Sequence, residues 1–220
     1  MQNIGLFNDS YPPIIDGVAI TVQNYAKWMF QQHRNVCVIT PKAPDYTDTD
    51  PFPVYRYPSI PLVNRKPYRL GLPDIDIAFQ SKLEKIPFSL VHAHCPFTSG
   101  LLAVKIAKER KIPLVATFHT KYRDNFEQAL HSKKLVELMV KELVYFYNQA
   151  DEVWIPQESV EETLREYGYK GKLVVMNNGT DFCTSQNPEI LKKEAREKLG
   201  ISGDEMVLLY VGQLVWEKNL

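Results

Sequence analysis

Seven short apolar runs, each separated from the next by polar or helix-periodic sequence, constrain this chain more than any other feature. They occupy residues 4–8, 36–40, 90–95, 114–119, 153–156, 173–177 and 206–211. The runs are nearly continuous rather than alternating, which is the pattern of parallel strands covered on both faces. Helical periodicity fills residues 17–32, 98–110, 133–149, 159–167 and 189–199. In 133–149, Val136, Val140, Leu143 and Tyr147 make an apolar stripe, while Lys133, Lys134, Glu137 and Lys141 make a wet face. Strands alternating with helices imply right-handed crossovers and an α/β fold, a doubly wound parallel sheet. Such sheets bind ligands in the crevice beyond the carboxyl ends of their strands, so the residues just after each run are the candidate site.

One stretch interrupts the rhythm. Residues 41–73 hold eight of the fifteen prolines, which predicts a long irregular excursion instead of a crossover helix. It starts acidic (Asp45, Asp48, Asp50) and turns basic and aromatic (Tyr55, Arg56, Tyr57, Arg65, Lys66, Tyr68, Arg69). With several aromatics and four cations, Tyr55–Arg69 has the composition of a surface that meets a lipid headgroup layer, or of an ordinary solvated loop. A second change falls at Asn187-Pro188. Residues 1–187 therefore read as one domain, 188–205 as a connecting helix and linker, and 206–220 as the first strand and loop of a second domain cut short.

With 26 basic and 26 acidic residues the chain has no formal net charge, which speaks against a general nucleic-acid binder. Three widely spaced cysteines (Cys37, Cys95, Cys183) without a CxxC suit a reducing compartment. The first residues carry neither a basic nor an apolar leader, so the expected location is cytoplasmic, with peripheral contact at the inner face of a membrane as a further expectation.

The strand ends carry the chemistry. After the first run, a loop from Asn8 opens a helix at Gly17. A glycine there lets ligand oxygens approach the exposed N–H groups, while Asp16 is equally suited to capping the helix. The loop is not GxGxxG, so it does not indicate a nicotinamide site. His92 and His94 share one face of a strand, but no set of ligands with metal spacing accompanies them, and no metal is expected. His119, followed by Thr-Lys-Tyr, ends another strand, where a neutral imidazole could hydrogen-bond a sugar hydroxyl or a departing phosphate. Asn177-Asn178-Gly179-Thr180-Asp181 is either a crevice loop or a plain tight turn. Gly212 and Lys218 follow the last run with the residue types of a phosphate site.

Taken in order, SYPPxxDGV, VHAHCPF, ATFHT, ADEVWIPQESV, NNGTDF and YVGQLVWEKNL resemble glycosyltransferase family 4, the retaining enzymes with two Rossmann-like domains (the GT-B architecture). The flavour is that of the subgroup that glycosylates diacylglycerol, with Asp-Gly where other members have Gly-Gly. The resemblance implies an N-terminal domain that holds a lipid or saccharide acceptor, and a C-terminal domain that holds a nucleotide-diphosphate sugar as co-substrate, with no cofactor. It places His119 beside the transferred sugar as the catalytic residue. It puts Asp16, Gly17, Gly212, Gln213 and Lys218 against the donor diphosphate, with Gln213 standing where an Arg is usual. Tyr11, His94, Lys121, Asn178 and Asp181 fall on the acceptor side or in the cleft, and Arg65, Lys66 and Arg69 are the candidates for membrane contact. The 220-residue chain alone is expected to transfer no sugar and to self-associate through its last strand. A free-standing binding domain on the same fold, and half of a nucleotide-sugar epimerase, are the alternatives.

Overall fold

The structure, a computed structural model, describes residues 3–63, 65–180, 187–203 and 205–212. Its strands are β1 (Asn3–Phe7), β2 (Asn35–Pro41), β3 (Val54–Tyr57), β4 (Ser59–Pro61), β5 (Arg69–Gly71), β6 (Leu90–Ala93), β7 (Leu114–Thr117), β8 (Glu152–Ile155) and β9 (Leu173–Val175). Seven of them form one parallel sheet in the order β3-β2-β1-β6-β7-β8-β9, and β4 pairs with β5 as a separate antiparallel hairpin. The helices are α1 (Gly17–Gln31), α2 (Ile77–Glu84), α3 (Thr98–Arg110), α4 (Tyr122–Ala129), α5 (Lys133–Tyr147), α6 (Ser159–Glu166) and α7 (Pro188–Leu199). From β1 the sheet grows first to one side and then, from β6, to the other. The switch lies between β1 and β6, where a doubly wound sheet opens its ligand crevice.

Successive residues of β1 feed opposite faces. Leu6 joins Tyr11, Val22, Ala26, Val36, Val38 and Phe52 in one core, whereas Phe7 joins the larger core built on β6 to β8, α3 and α5. The stripe expected on α5 is buried as drawn: Val136, Val140, Leu143 and Tyr147 are within it.

The expected excursion of 41–73 contains more structure than its prolines suggest. Val54–Tyr57 forms a strand between Pro53 and Pro58 and pairs in parallel with β2 at the sheet edge, where flanking prolines cost no ladder bond. The side chain of Arg56 grips Asp48 through Nε (2.8 Å) and Nη2 (2.7 Å), and its remaining N–H groups reach the carbonyls of Pro41 and Pro12 (2.9 and 2.6 Å). Arg56 thus staples the excursion to the loop after β1 and is not one of the surface cations that the composition suggested.

The chain divides into two compact units, residues 1–180 and 181–220. In the second, α7 buries no residue, and Gly200 closes it at φ +67°, a left-handed conformation suited to glycine. Arg196 then binds the carbonyls of Ser202 and Glu205. The strand expected at 206–211 is not present: these residues have neither helix nor strand structure, and Met206, Leu208 and Val211 are 84–90% exposed. A strand exists only where a neighbour accepts from its N–H groups and donates to its C=O groups, and no described strand pairs with this run.

Candidate functional site

β1 and β6 end side by side. The backbone N–H of His94, one residue past β6, donates to the Phe7 carbonyl at 2.8 Å. Asp9, two residues past β1, meets the first turn of α3 here. Its Oδ1 accepts from Ser99 N (3.0 Å), Ser99 Oγ (2.8 Å) and the Tyr57 hydroxyl (3.0 Å), and its Oδ2 accepts from the Cys95 thiol (3.2 Å). Phe97, the N-cap residue of α3, offers no side-chain bond, so Asp9 supplies that cap from another element. Burial, with the Asp9 charge beside it, pushes the Cys95 thiol well up, and burial does the same to the Tyr57 phenol. Sequence reading passed over Asp9. Its signal was a carboxylate directly after the first strand, but its partners lie 48 and 90 residues away.

Three imidazoles stand next to this carboxylate cluster. The His92 and His94 rings are 3.9 Å apart, and the His94 and His119 rings stack at 5.3 Å with planes 16° apart. His92 Nε2 lies 2.7 Å from Thr117 Oγ1, and His94 Nδ1 lies 3.0 Å from His119 Nε2. Tyr25 covers His92 and His94 from α1. Burial holds His92 at about 3 and His119 at about 4, and it drives His94 well below the usual histidine range, so all three rings are neutral near pH 7. His92 and His94 have almost no exposed surface, while His119 retains some. Among the described residues no three His, Cys, Asp or Glu side chains gather in a metal-holding group.

At α1, Asp16 is the N-cap, and its Oδ1 accepts from Val18 N (2.9 Å) and Ala19 N (2.8 Å). Two of the helix's first donors are therefore already satisfied by a carboxylate. Gly17 is exposed, and a Cβ placed there would meet nothing within 4 Å, so no packing requires a glycine at this point. Tyr68 of the hairpin reaches Asp16, and burial together with that charge raises its phenol to about 12.

Tyr11 is buried in the smaller core with its hydroxyl donating to Asp50 at 3.0 Å. Lys121 and Asn178 are exposed in the segments that follow β7 and β9, and Asn177 Nδ2 donates to the Pro156 carbonyl at 3.0 Å. Gly212 lies in the second unit. Asp181, Gln213 and Lys218, like Cys183, lie outside the described residues. Of the three membrane candidates, Lys66 is exposed, Arg65 donates to the Asn125 carbonyl at 3.1 Å, and Arg69 folds back on Ser59 (2.7 and 2.9 Å). Around them Ile60, Val63 and Leu70 are exposed apolar side chains. No described helix is long and apolar enough to cross a membrane.

A doubly wound parallel sheet with its polar groups gathered at the β1/β6 switch defines the class: a Rossmann-like α/β domain. The profile of Glycosyltransferase Family 4 matches residues 15–182, and the chain belongs to that family. It is 32% identical over 227 residues to the alpha-monoglucosyldiacylglycerol synthase of Streptococcus pneumoniae, a match that takes in all of this chain and 50% of that enzyme. The synthase of the same name from Acholeplasma laidlawii is 28% identical, again over the whole chain and 57% of the enzyme. The chain thus spans about half the length of these curated relatives. Among solved structures, sucrose-phosphate synthase from Thermosynechococcus elongatus shares the fold with a TM-score of 0.66 at 19% identity, over 93% of this chain and 54% of that one.

Proposed function

We propose that this chain is the acceptor-side domain of a retaining glycosyltransferase, which moves a sugar from a nucleotide-diphosphate donor to a lipid or saccharide acceptor. The observation that carries the reading is His119: a neutral, partly exposed imidazole two residues past β7, on the carboxyl-end side of the sheet of a family 4 domain. A neutral ring there can bond a sugar hydroxyl or the leaving oxygen without placing a charge on the ground state. The carboxylate at the strand ends, Asp9, already accepts four hydrogen bonds and is a poor nucleophile. That supports same-face transfer in which the departing diphosphate helps to take the acceptor's proton. Positive potential would come from Lys218 and the amide of Gly17, with no metal required. The donor's base, ribose and sugar would be gripped by a further domain of the kind that the longer relatives have room for.

The test is turnover in the enzyme that joins this domain to its donor domain. His119→Ala should lower kcat by roughly 10²-fold or more, the scale of a lost transition-state hydrogen bond. Unchanged turnover would remove His119 from the reaction, and loss of activity on chelation would overturn the metal-free scheme.

The names of the relatives make a glycerolipid the first acceptor to try, and one surface of this chain fits a lipid layer at the inner face of a membrane. The β4–β5 hairpin presents Ile60, Val63 and Leu70 with Lys66 and Arg65. Arg65 reaches α4, which packs on α5, and the outer side of α5 carries Leu135, Leu138 and Met139 among Lys133, Lys134 and Lys141. Each cation near an anionic leaflet contributes about 1 kcal/mol. Flotation with vesicles that contain or lack anionic lipid decides this. Binding untouched by neutralising Arg65, Lys66 and Arg69 would sink the hairpin's part in it.

A further inference from the structure

We infer that His94 is a positioning residue whose Nδ1–H donates to His119 Nε2, so that His119 is held as the Nδ1–H tautomer and presents an N–H, not a lone pair, to the crevice. The argument is a count of protons. Both rings are neutral and carry one proton each, and a single proton lies between His94 Nδ1 and His119 Nε2, 3.0 Å apart. If that proton belonged to His119, the proton of His94 would sit on its Nε2. His94 Nε2 is fully buried and has no hydrogen-bond partner among the described residues, so the result would be an orphaned N–H in the core. Buried orphan donors are rarer in folded proteins than under-used acceptors, because a buried N–H has one bond to make and loses it outright. If the proton belongs to His94 instead, its buried Nε2 carries only an under-used lone pair. His119 must then carry its own proton on Nδ1, which makes no hydrogen bond to any described residue.

This pattern is set by the neighbour, because a free imidazole side chain favours the Nε2–H form. It also fixes what His119 can do. An Nδ1–H donor recognises an oxygen with a lone pair, such as a sugar hydroxyl oxygen or an oxygen that gains charge as a bond breaks, and it cannot take a proton from the acceptor. The role in turnover rests on His119 being the catalytic imidazole; the protonation pattern does not.

Long-range ¹H–¹⁵N correlation spectra of the histidine rings, recorded near pH 7 on the 220-residue chain, distinguish pyrrole-type from pyridine-type nitrogens directly. The expected result is a protonated Nδ1 and a bare Nε2 on both His94 and His119. A protonated Nε2 on His119 overturns the inference whatever any variant does. His94→Asn keeps an amide donor where Nδ1 stood and should preserve the His119 pattern, while His94→Leu should return His119 to the Nε2–H form. If His119 is unmoved by His94→Leu in a chain whose other resonances are intact, His94 does not position it. In the two-domain enzyme, His94→Leu should lower kcat roughly 10- to 100-fold with little change in KM, and His94→Asn should recover most of it. A confirmed tautomer with turnover indifferent to His119→Ala would leave the protonation pattern standing and bring down the catalytic reading instead.

Discussion

Residues 36–40 and 206–211 are nearly interchangeable as apolar runs, yet they end in opposite environments. Val38 and Ile39 are 0% exposed in β2, whereas Leu208 is 90% and Val211 84% exposed in the second unit. The difference lies in what surrounds them. β2 is bonded on one side by β1 and on the other by β3, and α1 lies across it. No described residue offers the later run a partner strand. Apolar sequence makes a segment able to enter a sheet, and neighbours decide whether it does.

The largest effect that would sharpen this contrast is acid destabilisation of the sheet unit, which holds all five histidines. Burial lowers the folded-state pKa of His92, His94 and His119, so below pH 6.5 the unfolded chain binds more protons than the folded one. The stability contributed by the neutral rings is complete above pH 6.5 and is lost as pH falls toward about 4 for His119 and about 3 for His92. At about 1.36 kcal/mol per pH unit and bound proton, His92 and His119 together should lose about 3 kcal/mol between pH 6.5 and 5, and His94 adds to the loss. Urea midpoints across that range measure it, and a flat profile would contradict the buried neutral ladder. Next comes Ile39→Ala, which opens a cavity between strand and helix and should cost about 2–5 kcal/mol by the same assay. Asp16→Ala removes the side-chain cap of α1 and should cost about 1 kcal/mol. The smallest effect is Leu208→Ala, within about 0.5 kcal/mol, because its side chain is already in solvent. A loss as large as that of Ile39→Ala would show that 206–211 is buried in solution and would break the comparison.

Much of the sheet was legible because parallel strands write their burial into consecutive residues. The run at 114–119 and the helix at 98–110 needed only local pattern, and the helix is found at Thr98–Arg110. β3 was hidden by the prolines that bracket it, whose meaning at a sheet edge differs from their meaning inside a helix. α4 was missed because only Tyr122 of its eight residues is buried, so it lacks a strong stripe. For the site, His94 and His119 could each be picked out as strand-end residues. Their contact could not, because it depends on β6 and β7 being neighbours in a register that sets His92 opposite Val115 and Ala93 opposite Ala116. Asp9 depends even more on topology, since it becomes a hub only when β3 and α3 arrive on either side of it.

The turn between β6 and α3 carries one more consequence. A Cβ at Gly100 would lie 1.9 Å from the Cys95 carbonyl oxygen, so this corner rests directly on helix backbone and has no slack. The Cys95 thiol is enclosed at the same spot, bonded to Asp9 and held far from its ionised form. An alkylating reagent needs both access and a thiolate, and the closed corner provides neither. Cys95 is thus a built-in clock. The rate at which it is labelled reports how often β1, β6 and α3 part company, and a ligand that bridges their ends would slow that clock before any product is formed.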